Sequence, residues 1–181
     1  MKARIICGLV VGLLAVPFGS AIAANHDGGP TAHAEILDAQ GTRIGEARFR
    51  QGPNGTLINL EVRGLPPGPK GIHIHSVGTC DDHQHGFQDS KGHINPDGKQ
   101  HGLMNPDGPD AGDLTSFYVH EDGYAWAEFF NERASLDGTV GARILDEDGA
   151  ALVIHRNPDD HITQPIGGAG PRVACGVIKA R

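Results

Sequence analysis

Two histidines stand two apart in Gly71-Ile72-His73-Ile74-His75-Ser76, inside an alternating run. In a β-strand, residues i and i+2 point to the same face. His73 and His75 therefore present two imidazoles side by side from one rigid strand. Imidazole suits zinc, copper, iron and nickel. A strand can also carry two surface histidines, but more side chains of the same chemistry follow. His93, His101, Asp110 and Asp113 lie in a stretch with no strand pattern, and His155 ends the apolar run Ala151-Leu152-Val153-Ile154. A third imidazole thus rides on a strand far along the chain. Strand, loop and distant strand converge only if the sheet closes on itself, as a Greek-key barrel or sandwich does.

The elements that must position these groups are short strands at roughly 10-residue spacing, an all-β signature. Residues 32–39 alternate up to the Gln40-Gly41 turn, and residues 42–50 form a second candidate. Pro53-Asn54-Gly55 turns the chain into residues 56–63, where Leu57, Asn59 and Glu61 alternate with Ile58, Leu60 and Val62. Leu65-Pro66-Pro67-Gly68-Pro69 breaks the pattern before the His73/His75 strand. From Thr79 to Leu114 the sequence is rich in Gly, Pro, Asp, Asn and His. A loop longer than about 15 residues is functional or disordered, and its metal-type side chains favour function. Strands are expected again at 116–120 and 124–130, then at 142–146 and 150–156 as a hairpin turning at Glu147-Asp148-Gly149. A second irregular loop covers 157–171, and 172–178 is the last strand. The two Asn-Pro-Asp-Gly stretches at 95–98 and 105–108 read as similar turns, not a repeat. No helix pattern of useful length follows the N-terminal segment.

That N-terminal segment, residues 1–23, reads as a secretory signal. Lys2 and Arg4 are a basic start, Ile5 to Phe18 an apolar core, and Ala21-Ile22-Ala23 a cleavage site. The apolar core is too short for a membrane span of roughly 20 residues. Cys7 lies within it, too early to anchor a lipid. Residues 24–31 read as a flexible start, and residues 32–181 as one domain. Losing Lys2 and Arg4 with the leader takes the formal charge from −7 to −9. An acidic exterior argues against nucleic acid or an anionic membrane as partner. An anionic ligand would need a locally positive site. Two cysteines remain, Cys80 and Cys175, and an even pair in an exported chain suggests one disulfide.

On these residues the chain resembles the copper/zinc superoxide dismutases, especially the exported bacterial kind. The stretches that carry the resemblance are Gly71-Ile72-His73-Ile74-His75, Gly92-His93-Ile94-Asn95-Pro96, Ala111-Gly112-Asp113-Leu114, Val153-Ile154-His155 and the run from Gly167 to Ile178, in that order and together with Cys80. The resemblance implies an eight-stranded antiparallel Greek-key β-barrel, flattened like a sandwich, with two long functional loops. It implies copper on His73, His75, His93 and His155, with His93 bridging to zinc. His101 and Asp113 match further zinc ligands. Asp159 matches a carboxylate linking the two metal sites, Arg172 the arginine beside the substrate channel, and Cys80 and Cys175 the intrachain disulfide. The implied reaction converts two superoxide anions and two protons to dioxygen and hydrogen peroxide by cycling copper(II) and copper(I). Imidazole is acceptable to both copper states, and a guanidinium attracts and orients a small anion. The implied place is the periplasm or the medium, as a monomer or homodimer.

Three departures bear on that expectation. Asp110 stands where the family usually has a third zinc histidine. A carboxylate can ligate zinc, so a harder His93/His101/Asp110/Asp113 site is allowed; the other outcome is an empty zinc site and copper alone. Ser76 replaces a common Glu or Gln, away from the metal. The 157–171 loop carries no lysine, which weakens electrostatic guidance. His83 and His85 could capture metal, but read better as part of a solvated loop. His26, His33 and His120 read as surface or strand-edge residues, and His161 as a neighbour of the copper loop without a metal. Two other functions fit less of the sequence. One is a non-enzymatic copper/zinc-binding relative, which would follow from a lost copper ligand or channel arginine. The other is an exported adhesion module with incidental histidines.

Overall fold

A computed structural model describes residues 28–181. The expected signal segment and its cleavage site lie outside the described residues. Eleven strands follow one another as β1 (Thr31–Asp38), β2 (Arg43–Gly52), β3 (Gly55–Val62), β4 (Gly68–Lys70), β5 (Ile72–His75), β6 (Phe117–Val119), β7 (Ala125–Asn131), β8 (Ala134–Ser135), β9 (Ala142–Arg143), β10 (Ala150–His155) and β11 (Arg172–Ala180). The only helical turns among the described residues are two 3-10 turns, His83–His85 and Gln88–Ser90. None of the described helices is long and apolar enough to cross a membrane.

Seven strands form one antiparallel sheet in the order β5-β10-β11-β1-β2-β3-β7, and β4 pairs with β6. The all-β, antiparallel expectation holds, and the curled sheet with its crossovers is consistent with a Greek-key barrel. Alternation decides which face is inside. Ala32, Ala34 and Ile36 of β1, Ala47 and Phe49 of β2, Ile58, Leu60 and Val62 of β3, and Ile72 and Ile74 of β5 are all buried in one core with Leu152 and Ile154. Each such Leu or Ile contributes roughly 1.5–3 kcal/mol relative to exposure. Thr31, expected ahead of the domain, is already the first residue of β1, and Pro30 accepts a hydrogen bond from the Gln51 amide at 3.0 Å.

The hairpin expected from 142–146 and 150–156 does not form. β9 runs parallel to β8, while β10 lies between β5 and β11. Both edges of β10 are therefore occupied, so no ladder positions remain for residues 142–146. The turn signal at Glu147-Asp148-Gly149 is real, but Asp148 accepts a hydrogen bond from the Gly78 amide at 2.9 Å, so the turn closes over the end of β5.

On the outer face of β5, β10 and β11 the alternation leaves a second layer. His73 pairs with Val153 and His75 with Ala151, and Val153 pairs with Cys175. These positions are buried because the long loops cross over them. Cys80, Phe87, Ala151, Val153 and Cys175 form a separate buried cluster there. The Cys80–Cys175 disulfide joins the first loop to β11 across a sequence separation of 95, with Cα atoms 5.8 Å apart.

Candidate metal centre

The free edge of β5 is where the site begins. His73 and His75 extend from it as the i, i+2 pair that the alternation requires. Two pieces of the long loop lie against that edge as single bridges, His75 opposite His93 and His73 opposite Asp113. The Ile74 amide donates to Gly112 at 2.9 Å, and Ile94 donates back to Ile74 at 2.9 Å. A Cβ at Gly112 would lie 2.3 Å from the Ile74 carbonyl oxygen, so only glycine allows this approach. Main-chain pairing thus carries His93 and Asp113 to the strand histidines without any strand pattern of their own.

His155 arrives from β10. The register of β10 with β11 shifts between Ile154 and His155, so that His155 faces Arg172 across the pair. A bulge re-aims a side chain in this way. The rings of His73, His75, His93, His101 and His155 then cluster, with centroids from 4.2 Å (His73–His93) to 5.8 Å (His75–His155).

The hydrogen bonds fix which ring nitrogen is free. A carbonyl can only accept, so His75 donates from Nδ1 to Lys91 at 2.7 Å and His155 donates from Nδ1 to Gly170 at 2.9 Å. His73 donates from Nε2 to Asp159 Oδ2 at 2.7 Å, and His93 from Nδ1 to Asp110 Oδ2 at 2.8 Å. What remains is His73 Nδ1, His75 Nε2, His93 Nε2 and His155 Nε2, all buried and without a hydrogen-bond partner among the described residues. An unpaired buried polar atom costs about 1–3 kcal/mol. His73, His75 and His93 bring candidate ligand atoms within 4.8 Å of one another, and the His155 ring stands next to them, 4.9 Å from His73 and 5.8 Å from His75 between centroids, so the four nitrogens face a place for one cation. Burial disfavours the charged form of three rings: His73 is lowered to about 3, His155 to about 4, and His75 well below its ordinary value. Lone pairs are therefore available there at neutral pH.

On the other side of His93 lies a second donor set. His93, His101, Asp110 and Asp113 bring their candidate ligand atoms within 4.8 Å of one another. The close approaches are His101 Nδ1 to Asp113 Oδ1 at 2.5 Å, and His93 Nδ1 to Asp110 Oδ2 at 2.8 Å and Asp113 Oδ1 at 3.4 Å. The second oxygen of each carboxylate is tied to backbone. Gly112 donates to Asp110 Oδ1 at 2.9 Å, while Gly102 and Asp110 donate to Asp113 Oδ2 at 2.8 and 3.0 Å. One oxygen is held and one is presented. Two imidazoles and two carboxylates at this spacing suit a four-coordinate divalent zinc. Burial would lower His101, but Asp113 and then Asp159 outweigh it and raise it to about 10.

Asp159 joins the two sets. Its Oδ2 accepts from His73 Nε2, and its Oδ1 accepts from His101 Nε2 at 3.1 Å. Gly167, with φ of +58, leaves the room it needs; a Cβ there would lie 1.6 Å from Asp159 Oδ1. Burial opposes ionisation of Asp159, but its hydrogen bonds from His101 and His73 hold the carboxyl well below the usual carboxylate range.

Arg172 is fixed by three acceptors on the first loop: Nη1 to the Phe87 carbonyl at 2.5 Å and Ser90 Oγ at 3.1 Å, and Nη2 to the Lys91 carbonyl at 2.6 Å. A guanidinium has five N–H groups, so part of the fork stays free for a ligand. Lys91 holds both Arg172 and His75 through one carbonyl, from a backbone at φ of +62. That role is invisible in the sequence, because lysine carries no signal for a left-handed position. Among the other histidines, His83 and His85 lie in a 3-10 turn with no buried residue, and His161 Nδ1 is 3.6 Å from Asp159 Oδ1. His26 lies outside the described residues.

Comparisons with known proteins follow the same lines. The family model for copper/zinc superoxide dismutase (SODC) matches residues 43–178. The chain is 43% identical over 151 residues to the superoxide dismutase [Cu-Zn] of Caulobacter vibrioides, covering 82% of this chain and 86% of that one. It is 42% identical over 149 residues to superoxide dismutase [Cu-Zn] 2 of Aquifex aeolicus, again covering 82% and 86%. The crystal structure of a SOD-like protein from Bacillus subtilis superposes with a TM-score of 0.75 at 33% identity, covering 80% of this chain and 96% of that one.

Proposed function

The chain belongs to the copper/zinc superoxide dismutase family, and from that premise we propose that it is an exported superoxide dismutase that consumes two superoxide anions and two protons and releases dioxygen and hydrogen peroxide. The observation that carries this reading is the set of four unpartnered ring nitrogens on His73, His75, His93 and His155. Copper held by them supplies one-electron exchange between two oxidation states. His93, Asp110, His101 and Asp113 would hold zinc, and His93 belongs to both donor sets.

The protein's own groups do the rest. Arg172 draws the anion in and orients it, with a fork already fixed by loop carbonyls so that little ordering is required on binding. His93 Nε2, buried and unpartnered, is the ring nitrogen that would hold and release a proton, with Asp110 and Asp113 facing its Nδ1. Asp159 keeps Nδ1 of His73 as the free nitrogen by accepting at Nε2, as carboxylates beside metal-binding histidines do. The disulfide fits an oxidising compartment. A SOD-like protein among the relatives, YojM of Bacillus subtilis at 34% identity over 148 residues, keeps a non-enzymatic reading in play. Metal content by mass spectrometry, paired with superoxide consumption on the same sample, separates the readings. One copper and one zinc with activity is expected. Copper with activity but no zinc makes Asp110 a broken zinc ligand. Copper without activity sinks the enzyme and leaves a metal-handling protein.

A further inference from the structure

Arg133 lies outside every group assigned so far, yet it faces the back of the Asp110–Asp113 turn. Its Nε donates to the Asp110 carbonyl at 3.3 Å and its Nη2 to the Asp113 carbonyl at 2.9 Å. Asn131, fully buried two residues earlier, donates from Nδ2 to the Ala111 carbonyl at 2.8 Å and accepts the Arg133 amide at Oδ1 at 2.8 Å. Two side chains from the end of β7 thus take three of the four carbonyls of the turn that carries both carboxylates. They do so through the main chain, whereas His93 and His101 meet the carboxylates of the turn.

Charge is not what this clamp supplies. Asp110 and Asp113 are 3% and 0% exposed, so two carboxylates share one buried site. Zinc with two carboxylates and two neutral imidazoles sums to zero, where three imidazoles and one carboxylate would leave one positive charge. The site is one unit more negative than a three-histidine site. That extra unit strengthens the attraction for a cation, and a guanidinium beside it weakens that attraction, so what Arg133 contributes to zinc is its geometry and not its charge; Glu132, 3.9 Å from Nη1, is largely exposed and competes little for the fork.

We propose that Arg133 is a positioning residue for zinc: its fork fixes the main chain of the Asp110–Asp113 turn, so that both carboxylates are presented together to a divalent cation. This rests on the reading of that donor set as the zinc site. The test uses the full chain with Zn2+ and Co2+ as probes, in wild type, Arg133→Gln, Arg133→Lys and Asp110→Ala. Zn2+ affinity is read by competition with a chromogenic chelator, and Co2+ geometry by its visible spectrum. Groups behind metal ligands are typically worth 10–100-fold in affinity. Arg133→Gln is expected to weaken Zn2+ at least tenfold and change the Co2+ spectrum. Arg133→Lys, which loses the fork but can still donate to one carbonyl of the turn, should recover part of the affinity. Cu2+ bound at the four-histidine site, read by electron paramagnetic resonance in zinc-free protein, should be unchanged in both. Zn2+ affinity in Arg133→Gln and Arg133→Lys within twofold of wild type overturns the inference. If Asp110→Ala also binds Zn2+ like wild type, the assigned donor set itself is wrong. If Arg133→Gln does not fold, the Lys variant decides: a wild-type affinity and Co2+ spectrum there overturn the fork's role.

Discussion

At the scale of single residues, the donor sets hold opposite charge states in the metal-free protein, and this fixes how its stability depends on pH. His73, His75 and His155 are buried with their values lowered, so in acid the unfolded chain binds protons that the folded chain refuses. Stability therefore rises with pH up to their ordinary value of 6.5. His101 behaves in the opposite sense. Asp113 and Asp159 overcome its burial and raise it to about 10, so its contribution is complete below 6.5 and is lost as pH climbs through about 10. Asp113, held low by His101 and His93 against its burial, adds a further loss below its ordinary value of 3.8. The melting temperature of metal-free protein is thus expected to peak near pH 6.5 and decline on both sides. Zn2+ should flatten the alkaline side, because it replaces the proton on His101 Nδ1. Thermal scans from pH 4 to 10 with and without Zn2+ check this. A monotonic rise to pH 10 without metal would contradict the His101 ion pairs.

At the scale of elements, one covalent link and one arginine hold the first loop against the sheet. Cys80 is tied to Cys175 of β11, and Arg172, at the start of the same strand, holds Phe87, Ser90 and Lys91. Replacing Cys175 by Ser is expected to cost roughly 2–5 kcal/mol. The loss should be local in dynamics: amides from 79 to 91 exchange faster, while those of β1, β2 and β3 keep their protection relative to global unfolding. Hydrogen exchange read by mass spectrometry decides, and unchanged exchange in 79–91 would remove the disulfide from the positioning of Arg172. Most of this frame was legible in the sequence because it is periodic. The i, i+2 histidines and the alternation of β1, β2 and β3 follow directly from side-chain geometry. What was not legible has no periodic signature. The shift at His155 that sets it opposite Arg172 depends on pairing, the Lys91 carbonyl on a backbone angle that lysine rarely adopts, and the contacts of Asn131 and Arg133 on the closure of the barrel. The mistaken hairpin at 142–156 has the same origin, since local turn chemistry cannot know that both edges of β10 are already taken.

At the scale of the whole molecule, the formal charge of −7 opposes an anionic substrate, while the site must attract it. Salt separates the two effects. Charges farther apart than about 8 Å are largely screened at 0.15 M ionic strength, so a rate governed by long-range repulsion rises with salt and a rate governed by a local cation falls. Near the site, Arg172 and Lys91 stand on one side, and the 157–171 loop contributes Asp159 and Asp160 with no lysine. Asp159 is already spent on His73 and His101, and Lys91 is within 3.8 Å of Asp89 in solvent, which tempers its reach. That leaves Arg172 as the dominant attraction among the side chains, beside the bound metal itself, with its charge held in place and partly withdrawn from water. The superoxide consumption rate of metal-loaded protein is therefore expected to fall with added salt, by less than tenfold between 0.01 and 0.5 M given a single principal side-chain cation, on the order of the modest end of steering effects. Arg172→Gln should keep its copper, lose rate, and flatten the slope, because the bound metal is then the local cation left against the acidic exterior. A wild-type rate that rises with salt would mean that the net charge wins and that Arg172 acts only after the anion has arrived.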